Sequence, residues 1–373
     1  MSASSHLRER AAQLLALADV RVGGDRPFDP QIHDDRTYAR AFAHGSLGFG
    51  EAYMEGWWDV QDLAGMLTRL MLAHLDEKLH TLDAVASHLR ARWLNRQRGR
   101  RAWEIGKRHY DTGNELFAAM LGKRMVYSCG YWARADNLDD AQEAKLDLVC
   151  RKLQLKPGMH VLDIGCGWGE ALKFAAQRYG ITGVGITVSE EQAAWATTLC
   201  QGLPIEIRLQ DYRDVEETFD AVFSIGMFEH VGARNYRTYF ETVRRLLRPN
   251  GLSVLHSIGN NEAPSQPDPW VEKYIFPNSM IPAASQVATA LEGLFVVEDW
   301  HNFGADYDRT LCAWRERFDA AWDQLRDRFD ERFRRMWHFY LASSAAVFRA
   351  RRDQLWQITL SPRGVPGGYR VPR

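Results

Sequence analysis

The 373 residues predict an α/β protein: a mainly parallel sheet with helices on both faces, preceded by a smaller, mainly helical N-terminal region. From about residue 150 short apolar runs alternate with helical stretches, whereas earlier the apolar residues recur at helical spacing. The composition, 46% hydrophobic and 25% charged, is that of an ordinary globular chain long enough for two domains, expected at 1–104 and 105–373.

Composition also narrows the function classes. A net charge of −1 gives no whole-protein case for nucleic acid. Five widely spaced cysteines without a CxxC pair fit neither a disulfide framework nor a zinc site, and point to a reducing cytoplasm. No apolar run approaches a membrane span.

In chain order, DLAGMLTRLMLAHL (62–75) and TLDAVASHLRARWL (81–94) carry apolar residues at helical spacing, and AHGSLGFGEAYMEGWW (43–58) reads as a turn between helices. Residues 88–101 hold six arginines and no acid, with Leu89, Trp93, Leu94 and Trp103 as apolar neighbours. This reads as a solvated basic helix face or interdomain loop, or as a docking patch for anionic lipid head groups; nucleic acid comes third, since no nucleic-acid motif accompanies the isolated patch. Strands are expected at 159–164, 182–187, 205–210, 219–225, 252–258, 294–300 and 354–360.

After the first of these strands comes Asp163-Ile-Gly165-Cys166-Gly167-Trp168-Gly169, leading into a helix near Glu170. Glycines permit the sharp strand-to-helix turn and let a ligand approach the backbone. The spacing is GxGxG rather than GxGxxG, and the second strand ends Ile186-Thr187-Val188-Ser189 with no acid at its tip. Both facts weigh against a dinucleotide. The loop resembles that of class I S-adenosylmethionine-dependent methyltransferases, where it wraps the amino-acid end of the cofactor. Asp211 in LQDYRD fits the adenine contact of that family.

Longer segments resemble one branch of it. HYDTGNELFAAML (109–121), MVYSCGYW (125–132), LDIGCGWGE (162–170), GMFEHVG (226–232), LLRPNGLSVLHSIG (246–259), DPWVEKYIFPN (268–278) and EDWHNFGADYDRTL (298–311) look like the cyclopropane-fatty-acyl-phospholipid synthases. GSLGFGEAYMEGWW and FRARRDQLWQ match its longer bacterial members, so the resemblance covers nearly the whole chain.

The resemblance implies a Rossmann-like methyltransferase domain and transfer of a methylene from S-adenosylmethionine to the cis double bond of a phospholipid acyl chain. An alkene is a weak nucleophile and needs a sulfonium donor; methyl transfer leaves a carbocation, and ring closure needs a base in a site from which water is excluded. The family implies bicarbonate as that base, held by Cys129, Glu229, His256, Ile258 through its backbone, and Tyr307. Phe303 could also face the cation. Read alone, Cys129 and His256 could equally be core residues, and Glu229 could simply begin a helix.

For the cofactor the same carry-over gives Tyr127, Ser128, Leu162, Asp163, Gly165, Cys166, Gly167, Trp168, Gly169, Thr187, Gln192, Asp211, Tyr212 and Ile225. Glu170 departs from the small residue usual at its position, and either meets the cofactor's ammonium or faces solvent. The expected setting is the cytoplasmic face of the inner membrane, with the bilayer as substrate reservoir and a homodimer as the assembly. The alternatives are a methyltransferase making methyl-branched lipids or serving another acceptor, and a lipid-binding protein without catalysis.

Overall fold

The computed structural model describes residues 3–75, 113–262 and 267–373. They form two compact units, one of residues 3–75, 267–277 and 311–353, the other of 113–262, 278–310 and 354–373. The expected boundary near residue 104, the helix at 81–94 and the arginine-rich stretch lie outside the described residues.

The first unit is helical: α1 (Ala3–Ala16), α2 (Arg36–Met54) and α3 (Leu63–Leu72), with a two-residue antiparallel pair, β1 (Gln31–Ile32) and β2 (Trp58–Asp59). The segment 43–58, expected as a turn, is instead mostly α2, which continues to Met54 and is kinked at Gly45 (φ 57°, ψ −133°). Helical packing overrides its glycines. A Cβ at Gly50 would lie 2.5 Å from the Trp270 ring and 2.9 Å from Phe339, so the glycine is needed for contact rather than for a bend. Asp62 caps α3 by accepting from Gly65 N at 2.9 Å. The later helices of this unit are numbered after those of the sheet unit.

In the second unit, α4 (Asn114–Leu121) and α5 (Leu138–Lys152) precede β3 (His160–Ile164), α6 (Glu170–Tyr179), β4 (Thr182–Thr187), α7 (Glu190–Leu199), β5 (Ile205–Leu209) and β6 (Phe219–Ile225). Then come α8 (Tyr236–Leu246) and β7 (Leu247–Asn260); α9 (Pro269–Tyr274), of the helical unit; and α10 (Ala284–Leu291) and β8 (Val296–Asn302). The chain ends with α11 (Ala305–Leu325), whose first turns belong here, α12 (Glu331–Arg349) of the helical unit, and β9 (Asp353–Ser361). The sheet order is β5-β4-β3-β6-β7-β9-β8. Strands β3 to β7 are parallel neighbours and β8 pairs antiparallel with β9.

Each expected strand is present, two of them with the expected ends. The central strands are buried on both sides, one set of residues against Phe228, Tyr236, Tyr239 and Phe240, the other against Leu146, Val149, Leu172 and Phe174, while the edge strands β5 and β8 are partly exposed. Glycines 183 and 185 in β4 let Leu172 of α6 seat on the strand, because a Cβ at either would lie 2.8–2.9 Å from its methyl groups. That packing sets the angle at which the helix leaves the glycine loop. The parallel strands thus deliver the loop after β3, the turn after β6 and the end of β7 to one carboxyl edge, where open α/β sheets bind ligands.

Candidate active site

The loop between β3 and α6 is pinned by Gly165 N and Cys166 N, which donate to Ile186 O of β4 at 3.0 and 2.9 Å. Gly165, Gly167 and Gly169 all have positive φ (84°, 54° and 88°). At Gly167 a Cβ would meet no atom within 4 Å, so the small residue there leaves space rather than relieving a clash. Asp163 is buried, and its Oδ1 has no hydrogen-bond partner among the described residues. Burial pushes its pKa well above the ordinary range, opposed by nearby Lys145. A buried acid oxygen left without a partner, at the strand end that leads into this loop, fits an amino-acid head group carrying an ammonium.

Around the loop, Ser128 Oγ accepts from Lys145 Nζ at 2.8 Å, and Ser128 O accepts from Gln142 Nε2 at 2.8 Å. Lys145 is fully buried, and burial lowers its pKa to about 7. Both α5 residues were missed in the sequence; the one signal was a lysine and a glutamine on the helix's apolar side. Tyr127 packs edge-on against Phe117, which also touches Trp168, and Trp168 Nε1 donates to Asn114 Oδ1 at 3.0 Å. Thr187 Oγ1 donates to Gln192 Oε1 at 3.0 Å, fixing this pair at the tip of β4. Leu162 lies in the core, Ile225 ends β6, and Tyr212 packs edge-on against Tyr239.

Two acids have protein partners. Arg213 holds both oxygens of Asp211, at 2.8 and 2.5 Å; burial raises the carboxyl's pKa, but these bonds outweigh it and leave the pKa below its ordinary value. Glu170 is buried and ion-paired with Arg124 at 3.3 Å and Lys173 at 3.5 Å, which answers its negative charge within the protein.

The reacting-centre candidates gather at the same edge. Glu229 lies on a short 3-10 turn (Phe228–His230) after β6, and its Oε1 accepts from Ile258 N of β7 at 2.7 Å. Its Oε2 is buried without a partner among the described residues, and burial raises the carboxyl to about 7 against the hydrogen bonds from Ile258 and Ser257. His256 precedes Ile258 by two residues and therefore shares its face of the strand. It is buried: Nδ1 lies 3.2 Å from Gln357 Nε2, and Nε2 has no partner among the described residues. Burial, with Lys145 and Lys152, drives its pKa well below the usual value, so the ring is neutral.

Cys129 is buried, and its thiol donates to Gly130 O at 3.1 Å beside Thr310 Oγ1 at 3.8 Å. Burial and Asp306 push its pKa far up, which excludes a thiolate. Thr310 also accepts from Gly130 N and Trp132 Nε1, and Asp306 accepts from Trp132 N at 2.7 Å. These bonds fasten the Cys129 segment to the first turns of α11, which carry the buried Tyr307. Phe303 packs edge-on against the His256 ring at 5.9 Å. Glu229, His256 and Ile258 are thus directly joined or aligned, and Cys129 and Tyr307 form a second group through Thr310. Thr310, Asp306 and Gln357 lie within segments that carry the resemblance, but nothing in those segments marks their roles, because each acts on a residue far away along the chain.

The profile of the mycolic acid cyclopropane synthetases matches residues 97–358, more than half of the chain. The chain belongs to this family. It is 49% identical over 364 residues to the cyclopropane-fatty-acyl-phospholipid synthase of Escherichia coli K12, covering 97% of this chain and 95% of that protein. The tuberculostearic acid methyltransferase UfaA1 of Mycobacterium tuberculosis is 35% identical, over 90% of this chain and 83% of that one. Among solved structures, the mycolic acid cyclopropane synthase CmaA1 complexed with SAH and CTAB aligns with a TM-score of 0.64 at 30% identity, over 69% of this chain and 97% of that one. Family membership makes the sheet unit a class I methyltransferase fold and the protein an S-adenosylmethionine-dependent enzyme.

Proposed function

We propose that this enzyme is a cyclopropane fatty acid synthase, adding a methylene from S-adenosylmethionine across the cis double bond of an unsaturated phospholipid acyl chain. The observation that carries the reading is the pair of buried, unsatisfied atoms Glu229 Oε2 and His256 Nε2, in a chain so close to a synthase over its full length. Simple methylation needs no such pair; a small anion beside a carbocation does.

Bound S-adenosylmethionine would supply the electrophilic methyl, with Asp163, Ser128 and the glycine loop at its amino-acid end and Thr187 and Gln192 near its ribose. Bicarbonate, if held by Glu229, His256, Ile258, Cys129 and Tyr307, would supply the base for ring closure. The chain's own part is to present donors. With its pKa near 7, Glu229 can keep a proton on Oε2, and a neutral His256 can offer one N–H without protonating its guest. Both are buried, with Phe303 against the His256 ring, and a cation formed on an acyl chain beside them would be kept from water long enough to close.

We place the enzyme at the cytoplasmic face of the inner membrane, as a peripheral homodimer. The five cysteines, none of them in a disulfide, support the compartment and the arginine-rich stretch at 88–101 the membrane surface, while the homodimer rests on the family resemblance alone. Among the described residues no helix is long and apolar enough to cross a membrane. A methyl-branching reaction is the second reading, favoured by the likeness to UfaA1, named as a methyltransferase.

Mass spectrometry of acyl chains after incubation with cis-unsaturated vesicles and methyl-deuterated cofactor decides between them. A gain of CD2, the donor's methyl having lost one deuterium, together with loss of the alkene is expected. Deuterated carbon gained with an alkene retained establishes branching, and no gain removes both lipid reactions.

A further inference from the structure

We propose that Gln357 is a positioning residue that fixes the proton of His256 on Nε2, so that the histidine is a donor towards the reacting centre. Gln357 lies on β9, fully buried, with its amide nitrogen 3.2 Å from His256 Nδ1. An amide N–H can only donate, so the ring nitrogen facing it must be the unprotonated one. In a neutral imidazole the proton then belongs on the other nitrogen. That nitrogen, Nε2, is the buried atom without a partner among the described residues.

Gln357 Oε1 is buried without a partner among the described residues, so the contact with His256 is the one that orients the amide. On β9 Gln357 faces away from its neighbours Trp356 and Ile358, which pack in the core, and its register partner is His301 of β8. Phe303 blocks one side of the His256 ring. Burial first, then Lys145 and Lys152, disfavours the imidazolium, so the ring has two tautomers to choose between and Gln357 selects one. A ring protonated on Nδ1 would turn a lone pair on Nε2 towards the guest and repel an anion.

The inference rests on His256 acting at the reacting centre, but its test reads the resting protein. Nitrogen-15 spectra of histidine-labelled enzyme, with His256 assigned by its loss in His256→Gln, should show a protonated Nε2 and a bare Nδ1. Gln357→Glu, which presents an acceptor instead, should move the proton to Nδ1, and kcat should fall roughly 10–100-fold, the usual effect of losing a supporting contact, with the KM for cofactor unchanged. A wild-type ring protonated on Nδ1, or a ring pattern unchanged by Gln357→Glu, overturns the proposal. The wild-type spectrum suffices for that if the variant does not fold. Failure of the proposed reaction would instead appear as no cyclopropane product from the wild-type enzyme, and full activity in His256→Gln would take His256 out of the reacting centre.

Discussion

At Glu229 function and stability pull in opposite directions. Its carboxyl titrates near 7 in the folded protein, against about 4.5 in an unfolded chain. Between those values the folded state holds a proton that the unfolded state has released, so stability falls as pH rises through this window and stays reduced above 7. Gln cannot ionise and can still accept from Ile258 N. Glu229→Gln is therefore expected to be more stable than wild type at pH 8, by on the order of 2 kcal/mol, with the advantage gone near pH 4.5, while turnover is lost. Denaturant titrations at the two pH values check this, and an unchanged difference between them would refute it. Cys129, Glu229, His256 and Tyr307 could be named as candidates from the sequence because their motifs are continuous. Gln357 and Lys145 were not, since what distinguishes them is burial against residues about 100 and 17 positions away.

Among the elements, the strands were legible because burial on both faces makes them short apolar runs between polar helices. The 43–58 segment was misread because glycine signals a turn locally, whereas here it admits large rings. Two glycines separate these roles. A Cβ at Gly259 would lie 2.0–2.3 Å from the Trp356 ring, which is itself packed edge-on against Trp300. Gly259→Ala should therefore destabilise by about 2–3 kcal/mol, and a smaller residue at 356 should restore part of that loss. At Gly167 no atom is near, and the strain is only that of a positive φ. Gly167→Ala should cost about 1 kcal/mol in stability but much more in cofactor affinity, measured by calorimetry; intact affinity would place the cofactor away from this loop.

On the scale of the whole molecule, the two-part architecture was legible but not its weave. Only tertiary packing shows that the helical unit takes in α9 and α12. Phe339 of α12 lies 5.7 Å from Tyr53 and 4.7 Å from Trp270, and Arg335 donates to Trp58 O at 2.9 Å. A fragment of residues 105–373 should consequently aggregate, because α12 would lose α2 and α3 and bare its aromatic face; a monodisperse, cooperatively melting product would refute this. Acid should also act on this unit. Burial opposes ionisation of Glu51, but bonds from Lys273, Tyr274 and Arg40 win and hold it near 2, so its contribution is present above about 4.5 and lost as pH falls through 2. If residues 88–101 dock on anionic lipid, vesicle binding should weaken as salt rises; salt-insensitive binding would rule the stretch out.

The bond between Arg335 and Trp58 spans 277 residues of chain, which sets a schedule for synthesis. Helices α2 and α3 leave the ribosome early, yet the helix that completes their core follows only after the entire glycine loop and most of the sheet have been made. At about 5–20 residues per second this is a wait of roughly a quarter of a minute to a minute. Throughout it, Tyr53, Trp58 and the apolar face of α3 have little to bury against. The nascent chain is thus an early client for holding chaperones, and the segment translated first is among the last to fold.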